Sequence, residues 1–141
     1  MKTLKLLVLL SAIFMLSLSP AYASGNAPGS QPAAENNKIP LGPDHYYIYQ
    51  FNQKPILGTN ILKVQIFNKK SNKSANFKVF GSTSMPSMGS AHNSGQQAFK
   101  LSKKNDYLLP IDMVMLGDWE ISLVFYKGKT EYARTKIIVN L

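Results

Sequence analysis

Residues 60–68, Asn60-Ile61-Leu62-Lys63-Val64-Gln65-Ile66-Phe67-Asn68, set Leu62, Val64 and Ile66 against Lys63, Gln65 and Phe67 with a period of two. An extended chain points successive side chains to opposite faces, so this stretch predicts a strand with one face on a core. The same criterion, carried outward, predicts further strands near 45–51, 76–84, 97–102, 107–113, 119–127 and 130–139. The connections hold turn chemistry: Lys54-Pro55 with Gly58, a polar run over 69–74, Lys103-Lys104-Asn105, Leu116-Gly117-Asp118 and Lys127-Gly128-Lys129. No stretch keeps a helical period and no internal repeat is present. About seven short strands in one domain predict an all-β fold, an immunoglobulin-like antiparallel β-sandwich. Trp119, Ile121, Leu123 and Phe125 are expected to form one buried face, and Ala133, Thr135, Ile137 and Val139 another.

Composition narrows the chemistry. The chain has 141 residues, 45% hydrophobic, with 16 Lys and Arg against 7 Asp and Glu and no cysteine. That apolar content supports one folded domain rather than a disordered polymer. Without cysteine there is no disulfide framework, thiolate zinc site or thiol nucleophile. Lys2 and Lys5, the apolar stretch Leu6 to Leu18, then Pro20 and Ala21-Tyr22-Ala23 predict a secretory signal peptide over 1–23. The apolar run is shorter than a bilayer span, so cleavage should leave a protein with no stable membrane insertion. Its loss leaves 14 basic against 7 acidic residues. In an exported, most simply periplasmic, protein this excess points away from nucleic acid and towards anionic envelope surfaces. Residues 24–43, with Pro28, Pro32, Pro40 and Pro43 among Gly, Asn and Gln, are expected to be a flexible leader, and 44–141 the folded domain.

After signal removal four methionines remain, in two pairs: Met85 and Met88 in Ser84-Met85-Pro86-Ser87-Met88-Gly89, and Met113 and Met115 in Asp112-Met113-Val114-Met115. His92, one of two histidines, follows the first pair. Thioether sulfur is a soft ligand that selects Cu(I), and imidazole also suits copper, so Met85, Met88, His92 and Met115 form a coherent candidate copper set. If antiparallel strands alternate in direction, the third and fifth predicted strands exit at the same end, bringing the pairs together. Met113 shares parity with Tyr107, Leu109 and Ile111 and reads as core instead. The loop around Met85 and Met88 offers little core to fill, and His45 is a distant extra candidate ligand.

The segment Met85-Pro86-Ser87-Met88-Gly89 with His92, the aromatic Tyr107, and Met115-Leu116-Gly117-Asp118-Trp119-Glu120-Ile121 resembles the YtkA-like and FixH-like proteins of bacterial envelopes. The resemblance covers about residues 60–141. It implies an immunoglobulin-like sandwich, exported or membrane anchored, in a family associated with copper handling and cytochrome oxidase assembly, with ligand roles falling on Met85, Met88 and His92. The chain departs at Ser90, where the family's loop histidine often follows the glycine. The implied partners are the copper ion and an envelope protein that receives it.

No Gly-x-Ser-x-Gly elbow, His-Glu-x-x-His or phosphate-cradling glycine loop is present, so the expectation is a non-enzyme. Asp106, Asp112, Asp118 and Glu120 read as solvated turn carboxylates rather than an acid–base pair. The alternative reading is an interaction module that presents Tyr46, Tyr47, Tyr49 and Tyr126 to a protein or glycan.

Overall fold

The computed structural model describes residues 35–89 and 92–141; the expected signal peptide, residues 24–34 of the leader, and Ser90 and Ala91 lie outside the described residues. Nine strands are described: β1 Ile39–Leu41, β2 His45–Phe51, β3 Gly58–Asn68, β4 Phe77–Ser84, β5 Gln97–Ala98, β6 Lys100–Leu101, β7 Tyr107–Met113, β8 Asp118–Lys127 and β9 Thr130–Asn140. They form two antiparallel sheets, ordered β1-β2-β3-β7-β6 and β5-β4-β8-β9. In immunoglobulin lettering β2, β3, β7 and β6 take places A, B, E and D, while β4, β8 and β9 take C, F and G. The expected all-β, immunoglobulin-like sandwich is the observed fold.

Alternation builds the core. Leu62, Val64 and Ile66 of β3 are fully buried and face Trp119, Ile121, Leu123 and Phe125 of β8 across the sandwich. On the second expected face Ile137 and Val139 are buried, whereas Ala133 and Thr135 are half-buried. Gly81 sits inward in β4, where a Cβ would lie 2.7 Å from Leu109 Cδ2 and 3.0 Å from Phe99 Cε2. The missing side chain therefore leaves room for Leu109 from the opposite sheet. Tyr107 ties the sheets together: its hydroxyl donates to Phe77 O at 3.1 Å and accepts from Phe77 N–H at 3.2 Å.

Two expectations are corrected. The ordered domain begins before residue 44, because β1 pairs with β2 through Ile39↔Tyr47 and Leu41↔His45, and Leu41 enters the core. Pro40 lacks an N–H, which an edge strand tolerates, and this short strand hides in a proline-rich stretch. The strand expected at 97–102 is two: β5 pairs with β4 and β6 with β7, so the chain changes sheet at buried Phe99.

Candidate functional site

The two methionine segments meet at the head of β8. Ser84, the last residue of β4, lies opposite Glu120, and β7 ends at Met113, a short loop before Asp118. The β2–β3 connection joins them, since Gly58 at the start of β3 lies opposite Met113. Thus residues 52–57, 85–89, 92–96 and 114–117 share one end of the sandwich.

Within that end the four candidate ligands occupy different environments. Met85 is 2% exposed and belongs to the core; a Cβ built on Gly117 would lie 3.0 Å from its Cε. The expectation that this loop has little core to fill is therefore corrected at Met85. Its parity continues Phe77, Val79, Gly81 and Thr83 one step beyond the strand, and that alternation was readable in the sequence. Pro86–Met88 then form a 3-10 turn, closed by Met88 N–H donating to Met85 O at 3.0 Å, and this turn lifts Met88 into solvent, 42% exposed. His92 is exposed and adopts a left-handed backbone with φ 60°. Its loop is pinned to β4, because Ser94 N–H donates to Thr83 O and Ser94 Oγ accepts from Thr83 N–H.

On the second segment Met113 is fully buried, as its parity requires, and Met115 is 40% exposed. The Met115 carbonyl accepts from Trp119 Nε1 at 3.0 Å, which fixes the loop against the buried indole. Gly117, at φ 133°, exchanges backbone hydrogen bonds with Leu141. Val114 and Leu116 flank Met115 and are exposed, as are Ile56 and Leu57 on the adjoining loop. Asn60 was not singled out by the sequence reading, although it shares the inward parity of Leu62; it is fully buried and organises that loop. Its Oδ1 accepts from Ile56 N–H at 3.0 Å, and its Nδ2 donates to Ile56 O at 2.7 Å and Gly58 O at 3.0 Å.

The other sequence candidates lie elsewhere. His45 is at the opposite end, edge-on to Phe77 with centroids 5.0 Å apart, and shares a hydrogen bond with the Tyr132 hydroxyl. Burial, then the Lys127 charge, depress its pKa, with Asp44 opposing. The tyrosine display is corrected at Tyr47 and Tyr49, which are core residues; Tyr46 and Tyr126 are half-buried outside the core, the first stacked on Phe67 and the second edge-on to Phe80. Burial pushes the Tyr49 phenol up to about 12. Among the acids, Asp106 receives hydrogen bonds from Lys73 and Gln65 at the far end, Asp112 accepts from the Thr59 hydroxyl, and Glu120 pairs with Lys136. A polar groove of about 250 Å³ runs past Thr59, Thr83, Gln97 and Asp112 at the sandwich edge.

Among the described residues no three His, Cys, Asp or Glu side chains gather into a metal-holding group. The candidate donors at the methionine end are thioethers and one imidazole, a set whose softness fits Cu(I). No helix among the described residues is long and apolar enough to cross a membrane. No family model, curated protein or solved structure matches the chain.

Proposed function

We propose that this is an exported, non-catalytic copper-handling protein of the periplasm. It takes up Cu(I) at the methionine end of the sandwich and yields it to an envelope protein such as an oxidase. The observation that carries this reading is that two half-exposed methionines, Met88 and Met115, lie on the two loops next to the head of β8. His92 supplies the third donor. Met85, the ligand that sequence alone put first, backs the loop from the core. The likeness of the Met85–Gly89 and Met115–Ile121 segments to YtkA-like and FixH-like proteins points the same way.

Competition against a Cu(I) chelator under reducing conditions tests the site. Met88→Leu with Met115→Leu should abolish uptake while leaving the fold intact, because leucine roughly preserves volume. Met85→Leu should keep it. Unchanged affinity in the double variant removes the copper reading. Export is tested separately by intact mass of envelope protein, which should show a chain starting at Ser24.

A second reading, a non-metal interaction module, draws on the exposed Ile56, Leu57, Val114 and Leu116 at the same end. A photo-crosslinker at position 116 should then yield one discrete adduct in the envelope whether or not Met88 and Met115 are present.

A further inference from the structure

The end opposite the methionine loops gathers the connections 42–44, 69–76, 102–106 and 128–129. His45 lies opposite Asn68, Phe77 opposite Lys127, and Lys73 Nζ reaches Lys104 O at 3.1 Å and Asp106 at 2.6 Å. Seven lysines occupy this end: Lys69, Lys70, Lys73, Lys103, Lys104, Lys127 and Lys129. Asp44 and Asp106 pair with Lys69 and Lys73, and Glu131 is taken by Arg134. Lys127 stands over the rings of Phe77 and Tyr132. Lys70, Lys103, Lys104 and Lys129 are exposed on three loop tips with no carboxylate in ion-pair range among the described residues. The opposite end carries the exposed apolar residues Ile56, Leu57, Met88, Val114, Met115 and Leu116. Six of the eight exposed large hydrophobics among the described residues thus stand at the end away from the lysine loops, while Leu101 on β6 lies beside the 102–106 connection.

We propose that the lysine end is an adsorption surface for an anionic phospholipid bilayer. Four uncompensated ammonium groups spread over three loop tips act as point charges for a plane of headgroups. Nucleic-acid readers more often carry arginine forks and stacked aromatics, and the one arginine here is held by Glu131. Adsorbed in this way, the molecule holds the Met88 and Met115 loops away from the bilayer. The proposal stands independently of copper binding.

The test is co-sedimentation of the exported protein with vesicles of phosphatidylcholine alone or mixed equally with phosphatidylglycerol. Binding should require the anionic lipid. It should weaken as salt rises from about 0.1 M to about 1 M, where the screening length falls from about 10 Å to about 3 Å. Each lysine near an anionic surface contributes about fivefold in affinity, so Lys103→Gln with Lys104→Gln and Lys129→Gln should weaken binding about a hundredfold. The charge-matched control, Lys54→Gln with Lys100→Gln and Lys136→Gln, should lose far less. Equal losses in the two triple variants would reduce the effect to net charge and overturn the proposal. So would equal binding to neutral vesicles, which would indicate the apolar end, or tighter binding to duplex DNA at equal phosphate concentration.

Discussion

The indole Nε1 of Trp119 donates to the carbonyl oxygen of Met115 at 3.0 Å, so the residue that fills the top of the core also sets the path of the exposed 114–117 loop. Trp119 is 1% exposed, and truncation would leave a large cavity. Trp119→Ala should cost on the order of 3 to 5 kcal/mol in chemical denaturation. Trp119→Phe keeps an aromatic ring but drops the donor, and should cost less while weakening Cu(I) uptake through a misplaced Met115. A loss below about 1 kcal/mol for the alanine variant would contradict the core role.

Gly81 faces Leu109 of the opposite sheet, which has room only because no Cβ is present. Gly81→Ala should destabilise by about 1 to 3 kcal/mol, the usual range for forcing extra atoms into a packed core. Leu109→Val on that background should recover part of the loss, because it withdraws atoms from the clash. Purely additive costs for the two changes would show that the contact is not the cause.

The strand pattern was readable because each long strand buries one face, so β2 and β7 keep the bounds that alternation predicts. Other features were hidden for stated physical reasons. The sheet change at Phe99 keeps the chain extended on both sides, and alternation carries no label for which sheet a residue joins. Met85 was read by composition as a loop ligand, whereas its parity with Val79 and Thr83 sends it inward. The meeting of the two methionine segments follows from alternating strand directions, as the sequence leads one to expect, but the exposed Ile56 and Leu57 that join them carry no alternation to mark them, and only the register of β3 against β7 brings their loop there. The lysines at the opposite end were hidden too: net charge says nothing of where the ion pairs fall.

His45 makes stability depend on pH in a defined window. Its folded pKa lies below the ordinary value of 6.5 because burial and then Lys127 oppose the imidazolium, with only Asp44 favouring it. Between the folded pKa and 6.5 the unfolded chain binds more protons at this site, so stability rises with pH. The contribution is fully present above about 6.5 and is lost as pH falls towards the folded value. His45→Phe should flatten this part of the profile in urea midpoints measured from pH 7.5 to 5. A separate loss at lower pH should persist in the variant, because ion pairing to Lys69 holds the Asp44 carboxyl, and pairing to Arg134 the Glu131 carboxyl, below their usual values.

Asn60 should reveal how the apolar loop is held. Three hydrogen bonds from its buried amide close the turn from Ile56 to Gly58, and that turn carries the exposed Ile56 and Leu57. Asn60→Ala removes all three bonds and the fully buried side chain that makes them, at a cost of about 2 to 3 kcal/mol. Asn60→Asp is the sharper probe, because it keeps the shape and the acceptor but turns the donor towards Ile56 O and Gly58 O into a second acceptor. As a carboxylate it would oppose two carbonyl oxygens in a dry site, so its folded pKa should rise above the unfolded value of about 3.9. The folded state then binds more protons than the unfolded state over that window, and stability falls as pH rises through it. The aspartate variant should therefore lie closer to wild type at pH 4.5 than at pH 7.5, where wild type itself is measured as the reference. Equal penalties at both pH values would mean that the side chain at position 60 reaches water, and that the turn is set by Gly58 and Pro55 alone.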